Sequence, residues 1–416
     1  MVDPIVLART VHLAATVLAA GTVCFLTLVA QPAYAGSGGP GADALRRGGR
    51  IAVWSALVVA VLSGAAWLAL LSADIYGAPI LAVCLHGGLW TVLTDTQFGA
   101  VWMARLALAV LLGLLLLWPA QRWLALAAAG ALVGLLAYVG HAGATPGTAG
   151  EIHLISDMLH LLAAGAWLGG LPGLAWLLLA RPQPQVAARA AARFSVLGIV
   201  CVAALIVSGL INSWNLLSGP VDLVDTAYGR LLALKIALFV AMLGIAAVNR
   251  FHLTPLLAAA GARAALARNS LAETALGLGV LLLVGALGTM APTAHHHLPT
   301  ADVPADAAFV HIHTEQAMAE VTIDPGRAGP ANANIRLLDE NFSELPANVV
   351  HLTLESPAPG PAPVERDAVR QADGTWAVDG IDLPASGNWT VRVTIGGTNG
   401  TQIVLDGPIV IEKARP

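Results

Sequence analysis

Charge is what this sequence has least of. Only 11% of its 416 residues are Asp, Glu, Lys or Arg, against 57% hydrophobic, whereas a soluble domain carries roughly 25% charged residues. A chain so composed is an integral membrane protein, and no nucleic-acid partner is expected of it. Cysteine is equally scarce: Cys24, Cys84 and Cys201 form no CxxC pair and lie outside the polar C-terminal part, so there is no disulfide framework to infer. A phosphate-binding loop is missing too, which argues against ATP-driven transport.

What is abundant is long apolar sequence. Eight runs reach the roughly 20 residues needed to span a bilayer: about 5–30, 50–72, 99–118, 122–140, 153–179, 194–214, 229–249 and 270–291. The stretch from Asp74 to Gln97 is broken by Pro79, His86, Gly87, Gly88 and Asp95 and is expected as a loop on or re-entering the membrane. Ala33-Tyr34-Ala35 resembles a secretory cleavage site, but the apolar run before it exceeds the 7–15 residues of a signal core, so retention is expected. Beyond residue 300 the pattern changes to short alternating runs: FVHIH, AEVTID, ANIRLLD, VVHLTLE, TWAVDGIDL, NWTVRVTI and TQIVLD. Seven such runs predict an all-β sandwich. The expected plan is a polytopic α-helical membrane domain over 1–291, a His-containing linker over 292–305 and a β-sandwich over 306–416.

Arginine sets the orientation. Arg46, Arg47, Arg50, Arg122, Arg181, Arg189, Arg193, Arg250, Arg263 and Arg268 lie in or beside the loops after spans one, three, five and seven, which the positive-inside rule makes cytoplasmic. Both termini and the β domain then lie outside. Of the twelve histidines only His252 falls on the inner side. His12, His86, His141, His153 and His160 stand on or near outer helix ends, and His295, His296 and His297 fill the linker.

An internal repeat links two of these. LTDTQFGAVWMARLAL (93–108) aligns without gaps with LVDTAYGRLLALKIAL (223–238), placing Arg105 on Lys235; VHLAATVLAAG (11–21) resembles LHLLAAGAWLG (159–169), placing His12 on His160. Two pseudo-symmetric four-helix repeats, about 5–140 and 153–291, follow, related by an axis near the membrane normal. Arg105 and Lys235 are expected to snorkel or to pair with Asp95 or Asp225. His153, Asp157 and His160 share one helix face, a polar stripe in a span where ionisable groups are costly and usually face a pathway. Imidazole with a carboxylate beside it suits copper, zinc, nickel or iron. In the β domain, His311 and His313 share a strand face with Met318 nearby, a second candidate metal site.

The segments VHLAATVLAAG, YVGHAG (138–143), IHLISDMLHLLAAGAWLGGL, RFS (193–195) and YGRLLALKIALF with Asn249-Arg250 together resemble the CopD family of bacterial copper-resistance and copper-uptake membrane proteins. The match covers most of residues 5–291, and its most specific part is His-x3-Asp-x2-His followed by Trp-x-Gly-Gly-Leu; Ser156 stands where the family pattern has Ala. The resemblance implies copper as cargo, not an enzymatic reaction, at the cytoplasmic (inner) membrane. Inward movement would use His12, His141, His153, Asp157 and His160, with the β domain helping to capture copper ions. A periplasmic copper chaperone is a conceivable partner beside the lipid bilayer. Six methionines, counting the initiator, leave a Met-lined copper channel unsupported. Paired histidines in a helical bundle also hold b-type haem, so a membrane redox protein with His12 and His160 as axial ligands is the alternative.

Overall fold

The computed structural model describes residues 3–36, 39–76, 78–140, 147–180, 182–217, 219–257, 259–290, 303–304, 306–314, 317–339, 343–356, 362–396 and 402–414. Two compact units divide the chain, Met1–His296 and His297–Pro416. His141 and His295 to His297 lie outside the described residues.

The first unit is helical. Among the described residues, eight helices are long and apolar enough to cross a membrane: Pro4–Ala33, Pro40–Tyr76, Gln97–Leu115, Arg122–Val139, Gly150–Leu179, Pro184–Leu216, Ala227–Leu253 and Gly261–Leu287, here spans one to eight. Each overlaps one of the expected apolar runs, and spans three, four and eight end one to four residues before theirs. Spans two and six start well before their apolar runs, because Arg46, Arg47 and Arg50, and likewise Arg189 and Arg193, lie on polar first turns of the same helices. The segment expected as a loop between Asp74 and Gln97 instead contains two short helices, Ile80–Leu85 and Gly88–Asp95. Gly87 joins them at φ 83°, a left-handed conformation natural to glycine. Their apolar side chains Leu81, Leu85 and Trp90 are exposed, as suits helices facing a lipid interface.

Spans three and seven begin alike. Thr96 caps span three by accepting from the Gly99 amide at 3.1 Å, and Thr226 caps span seven by accepting from the Gly229 amide at 2.9 Å. Each threonine hydroxyl also donates to the carbonyl four residues back, Val92 and Asp222. A Cβ at Gly99 or Gly229 would strike those preceding turns, which is why both aligned aromatic-Gly pairs keep the glycine.

Spans one and five cross at Gly21 and Gly169, where a Cβ on either would overlap the other's backbone. Small residues at a crossing let two backbones approach closely in lipid, where dispersion rather than water exclusion drives association. Phe25, Val29, Leu171 and Leu177, all fully or almost fully buried, pack around it.

The second unit is all-β, with nine strands among the described residues: β1 (Ala308–His313), β2 (Met318–Asp324), β3 (Gly329–Leu338), β4 (Val349–Glu355), β5 (Val364–Asp367), β6 (Val369–Arg370), β7 (Trp376–Leu383), β8 (Gly387–Gly396) and β9 (Gln402–Ile411). They form sheets ordered β1-β2-β3-β7-β6 and β5-β4-β8-β9 around one apolar core that includes Val321, Ile335, Leu352, Trp389 and Val393. The seven expected runs are β1 to β4 and β7 to β9. The two extra strands, β5 and β6, are short, largely exposed sheet edges in the charged segment VERDAVR, where no apolar alternation marks them.

Candidate functional site

His12 sits on span one with 5% of its surface exposed. Its Nδ1 lies 2.8 Å from the Ala60 carbonyl oxygen, which can only accept, so Nδ1 carries the proton and Nε2 the lone pair. That lone pair is taken: Arg105 Nη2 donates to His12 Nε2 at 2.7 Å and to Thr16 Oγ1 at 3.2 Å, while Nη1 donates to the Leu132 carbonyl at 2.5 Å. Arg105 is therefore neither snorkelling nor paired with Asp95, contrary to the sequence expectation. A guanidinium desolvated inside a span gains more from three fixed acceptors in the bundle than from one carboxylate at its rim. A cavity of about 20 Å³ beside His12 and Arg105 has room for little more than a single water.

His160, on span five, has the same tautomer with a different outcome. Its Nδ1 lies 3.0 Å from Ser208 Oγ on span six. Ser208 spends its own proton on the Ala204 carbonyl at 2.6 Å, so Oγ accepts from Nδ1–H and the lone pair again falls on Nε2. Among the described residues, nothing bonds to that nitrogen. The partner of each imidazole stands forty-eight residues further on, Ala60 for His12 and Ser208 for His160.

Asp157, one turn before His160, accepts from Asn212 Nδ2 at 3.0 Å. Asn212 Oδ1 is buried and has no hydrogen-bond partner among the described residues, which leaves an oxygen lone pair beside the carboxylate. Lys235 of span seven lies within electrostatic range of both Asp157 and His160. His153 is 2% exposed, so protein covers it. Ser156, the departure from the family pattern, donates to the Ser208 carbonyl at 3.2 Å and helps to tie span five to span six.

Packing alone accounts poorly for this group. An aspartate at the centre of a spanning helix costs about 2.5–3.5 kcal/mol on insertion scales, while hydrogen bonds between membrane helices average about 0.6 kcal/mol. The Asp157–Asn212 bond alone does not offset that cost, and Lys235 is the cation within range that lessens it. Among the described residues no three His, Cys, Asp or Glu side chains stand close enough to share a metal ion. The polar atoms left open on neighbouring turns are His160 Nε2 and the Asn212 carbonyl oxygen, with the Asp157 carboxylate bonded to the Asn212 amide. Ser208, Asn212 and the Arg105 contact were not singled out from sequence; the signal for the first two was small polar residues inside the apolar run SGLINSW of span six.

In the β unit, strand register sets His311 opposite Glu320 and His313 opposite Met318. His311 Nδ1 lies 3.7 Å from Glu320 Oε1, and Arg336 lies 3.8 Å from the other Glu320 oxygen. Met318 is 1% exposed. His351 is exposed on β4 and pairs with Asp367 at 2.9 Å, as a surface strand residue should.

Residues 1–151 match the family described as copper resistance protein D-like, N-terminal domain, and residues 188–287 match copper resistance protein D. The copper resistance protein D of Pseudomonas syringae pv. tomato is 34% identical over 221 residues, covering 48% of this chain and 71% of that protein. Inner membrane protein YebZ of Escherichia coli (strain K12) is 34% identical over 212 residues, covering 49% of this chain and 72% of that protein. Copper transport protein CutJ of Bacillus subtilis (strain 168) is 27% identical over 321 residues, 72% of this chain and 56% of that protein. No solved structure matches.

Proposed function

This chain belongs to the copper resistance protein D family, and from that membership we propose that it binds copper ions and carries them inward across the cytoplasmic membrane. The observation that carries the reading is the open Nε2 of His160, held in its metal-binding tautomer by Ser208. Orientation of an imidazole through its other nitrogen is the usual support of a metal-ligating histidine. Asp157 and Asn212 supply oxygen at the same level, and His153 stands one turn nearer the start of the span. His141, which lies outside the described residues and precedes span five in the sequence, joins them as an outer ligand in this reading.

His12 belongs to the same pathway as a closed station. Copper reaches its Nε2 only when the Arg105 guanidinium withdraws. The same contact weighs against haem, since an axial ligand needs that lone pair. Both termini and the β unit face the periplasm, in keeping with the arginine-bearing loops. There His311 and His313, with the linker histidines, gather copper from solution or from a chaperone. The two halves are repeats related by an axis near the membrane normal. The crossing of the aligned Gly21 and Gly169, the shared Thr-Gly caps and the equal spacing from each histidine to its partner all support that relation.

The test is copper uptake into vesicles containing the purified chain. The parent should accumulate copper and the His160→Ala variant should not. Uptake by the variant at the parent's rate would refute the route.

A further inference from the structure

A second buried polar group lies far from His160, on the last two spans. Glu273 of span eight is 1% exposed. Asn249 Nδ2 donates to Glu273 Oε1 at 2.6 Å, and Asn269 Nδ2 donates to Asn249 Oδ1 at 2.8 Å. Asn249 opens a π-helical turn, Asn249–Leu253, at the end of span seven; such turns are rare and frequent at functional sites. Glu273 also lines a cavity of about 440 Å³, walled mainly by apolar residues such as Phe194, Ile199 and Phe251. Among the described residues, its second carboxyl oxygen has no protein partner.

The order of donors selects the ligand. A hard metal cation wants six or more oxygens, whereas this chain of three groups presents only the Glu273 carboxyl and, with its amide turned, the Asn249 oxygen. A proton suits the arrangement in both states. With Glu273 ionised, the two amides donate along the chain toward it. With Glu273 protonated, its O–H donates to the Asn249 oxygen once the two amides turn over, and every group is satisfied again. Few buried carboxyls can change protonation without leaving a neighbour unpaired.

We propose that Glu273, Asn249 and Asn269 form a proton-binding site, open to the cavity, that takes up and releases a proton during the transport cycle. The carboxylate gains H⁺ from water and returns it; no bond between heavier atoms changes. The coupling rests on the transport reading above, the proton site itself does not. Arg250, the other titratable group lining the cavity, donates to Ser195 at 2.5 Å. On the elements packed against span eight, Lys235 is fourteen residues from Asn249 along span seven, about 21 Å at 1.5 Å per residue. Arg9 donates to the Gly288 carbonyl, about as far from Glu273 along span eight. His12, Asp157 and His160 have the partners already described.

An apolar carbodiimide reads this site directly in the full chain. It reacts with a protonated carboxyl in an apolar setting: the oxygen bonds to the central carbon, the proton moves to a nitrogen and nothing leaves. Peptide mass spectrometry should find Glu273 labelled, with labelling falling about tenfold per pH unit above its pKa. Glu273→Gln should abolish that label. Asn249→Leu removes a donor to the charged form, so its labelling should persist to higher pH. Glu273 unlabelled at every pH, or labelled with no pH dependence, would overturn the site. In vesicles containing a pH dye, the parent should move protons with copper and Glu273→Gln should not; equal proton movement in both would overturn the coupling. A parent that takes up no copper would refute the transport reading and leave the labelling result standing.

Discussion

His12 and His160 stand on aligned spans, donate through Nδ1 to a partner forty-eight residues on, and differ in what meets Nε2. In the first half it is Arg105, and three residues before His12 stands a second guanidinium, Arg9. In the second half the corresponding position before His160 is Asp157, and the residue aligned with Arg105 is Lys235. One half thus meets its imidazole with a cation, Arg105, whereas the other sets a cation and an anion, Lys235 and Asp157, near its own. On the proposed repeat the same imidazole occurs twice, and in the proposed route the charges around it set which copy receives a metal cation. Guanidinium against ammonium also matters, because only the planar fork reaches Nε2, Thr16 and the Leu132 carbonyl together.

The comparison can be broken at several points. The largest effect is expected from His160→Ala, which removes the open nitrogen; copper affinity of the membrane unit should fall by more than the roughly 10- to 100-fold that loss of a supporting partner costs. Competition titration against a copper chelator measures it. Asp157→Asn should lose about 10- to 100-fold if the carboxylate only orients and neutralises; a loss equal to that of His160→Ala would make it a direct ligand. Ser208→Ala should cost less still, since it frees Nδ1 without removing the ring, and its signature is a weaker site with unchanged stoichiometry. Arg105→Gln sharpens the contrast from the other side. It uncovers His12 Nε2 and should add a second, weaker copper equivalent in metal analysis. His351→Ala, on an exposed strand and paired with Asp367, should leave both binding and copper-dependent growth unchanged.

Hydropathy made all eight spans legible, because lipid demands continuous apolar helix wherever the chain crosses. Period-two runs likewise revealed the seven core-forming strands. The edges β5 and β6 were hidden, since VERDAVR carries no buried face to alternate. The stripe His153, Asp157 and His160 was legible from spacing alone, and so was the pairing of Arg105 with Lys235 across the repeat. What Arg105 holds was not: sequence proximity pointed to Asp95, whereas the actual acceptors come from spans one and four, distant in the chain. Glu273 escaped for a related reason. A single acid inside LAETALGLGV looks like a helix-start residue until Asn249, from the preceding span, is seen bonded to it.

The claim that copper is received by the second half and not the first is tested most directly by metal stoichiometry. The measurement uses the full chain with His311 and His313 replaced, comparing His12→Ala with His160→Ala on that background. His12→Ala should keep the tightly bound copper, and His160→Ala should lose it. Equal loss in the two variants would mean that both imidazoles hold one ion between them, and retention in both would mean that the site lies elsewhere.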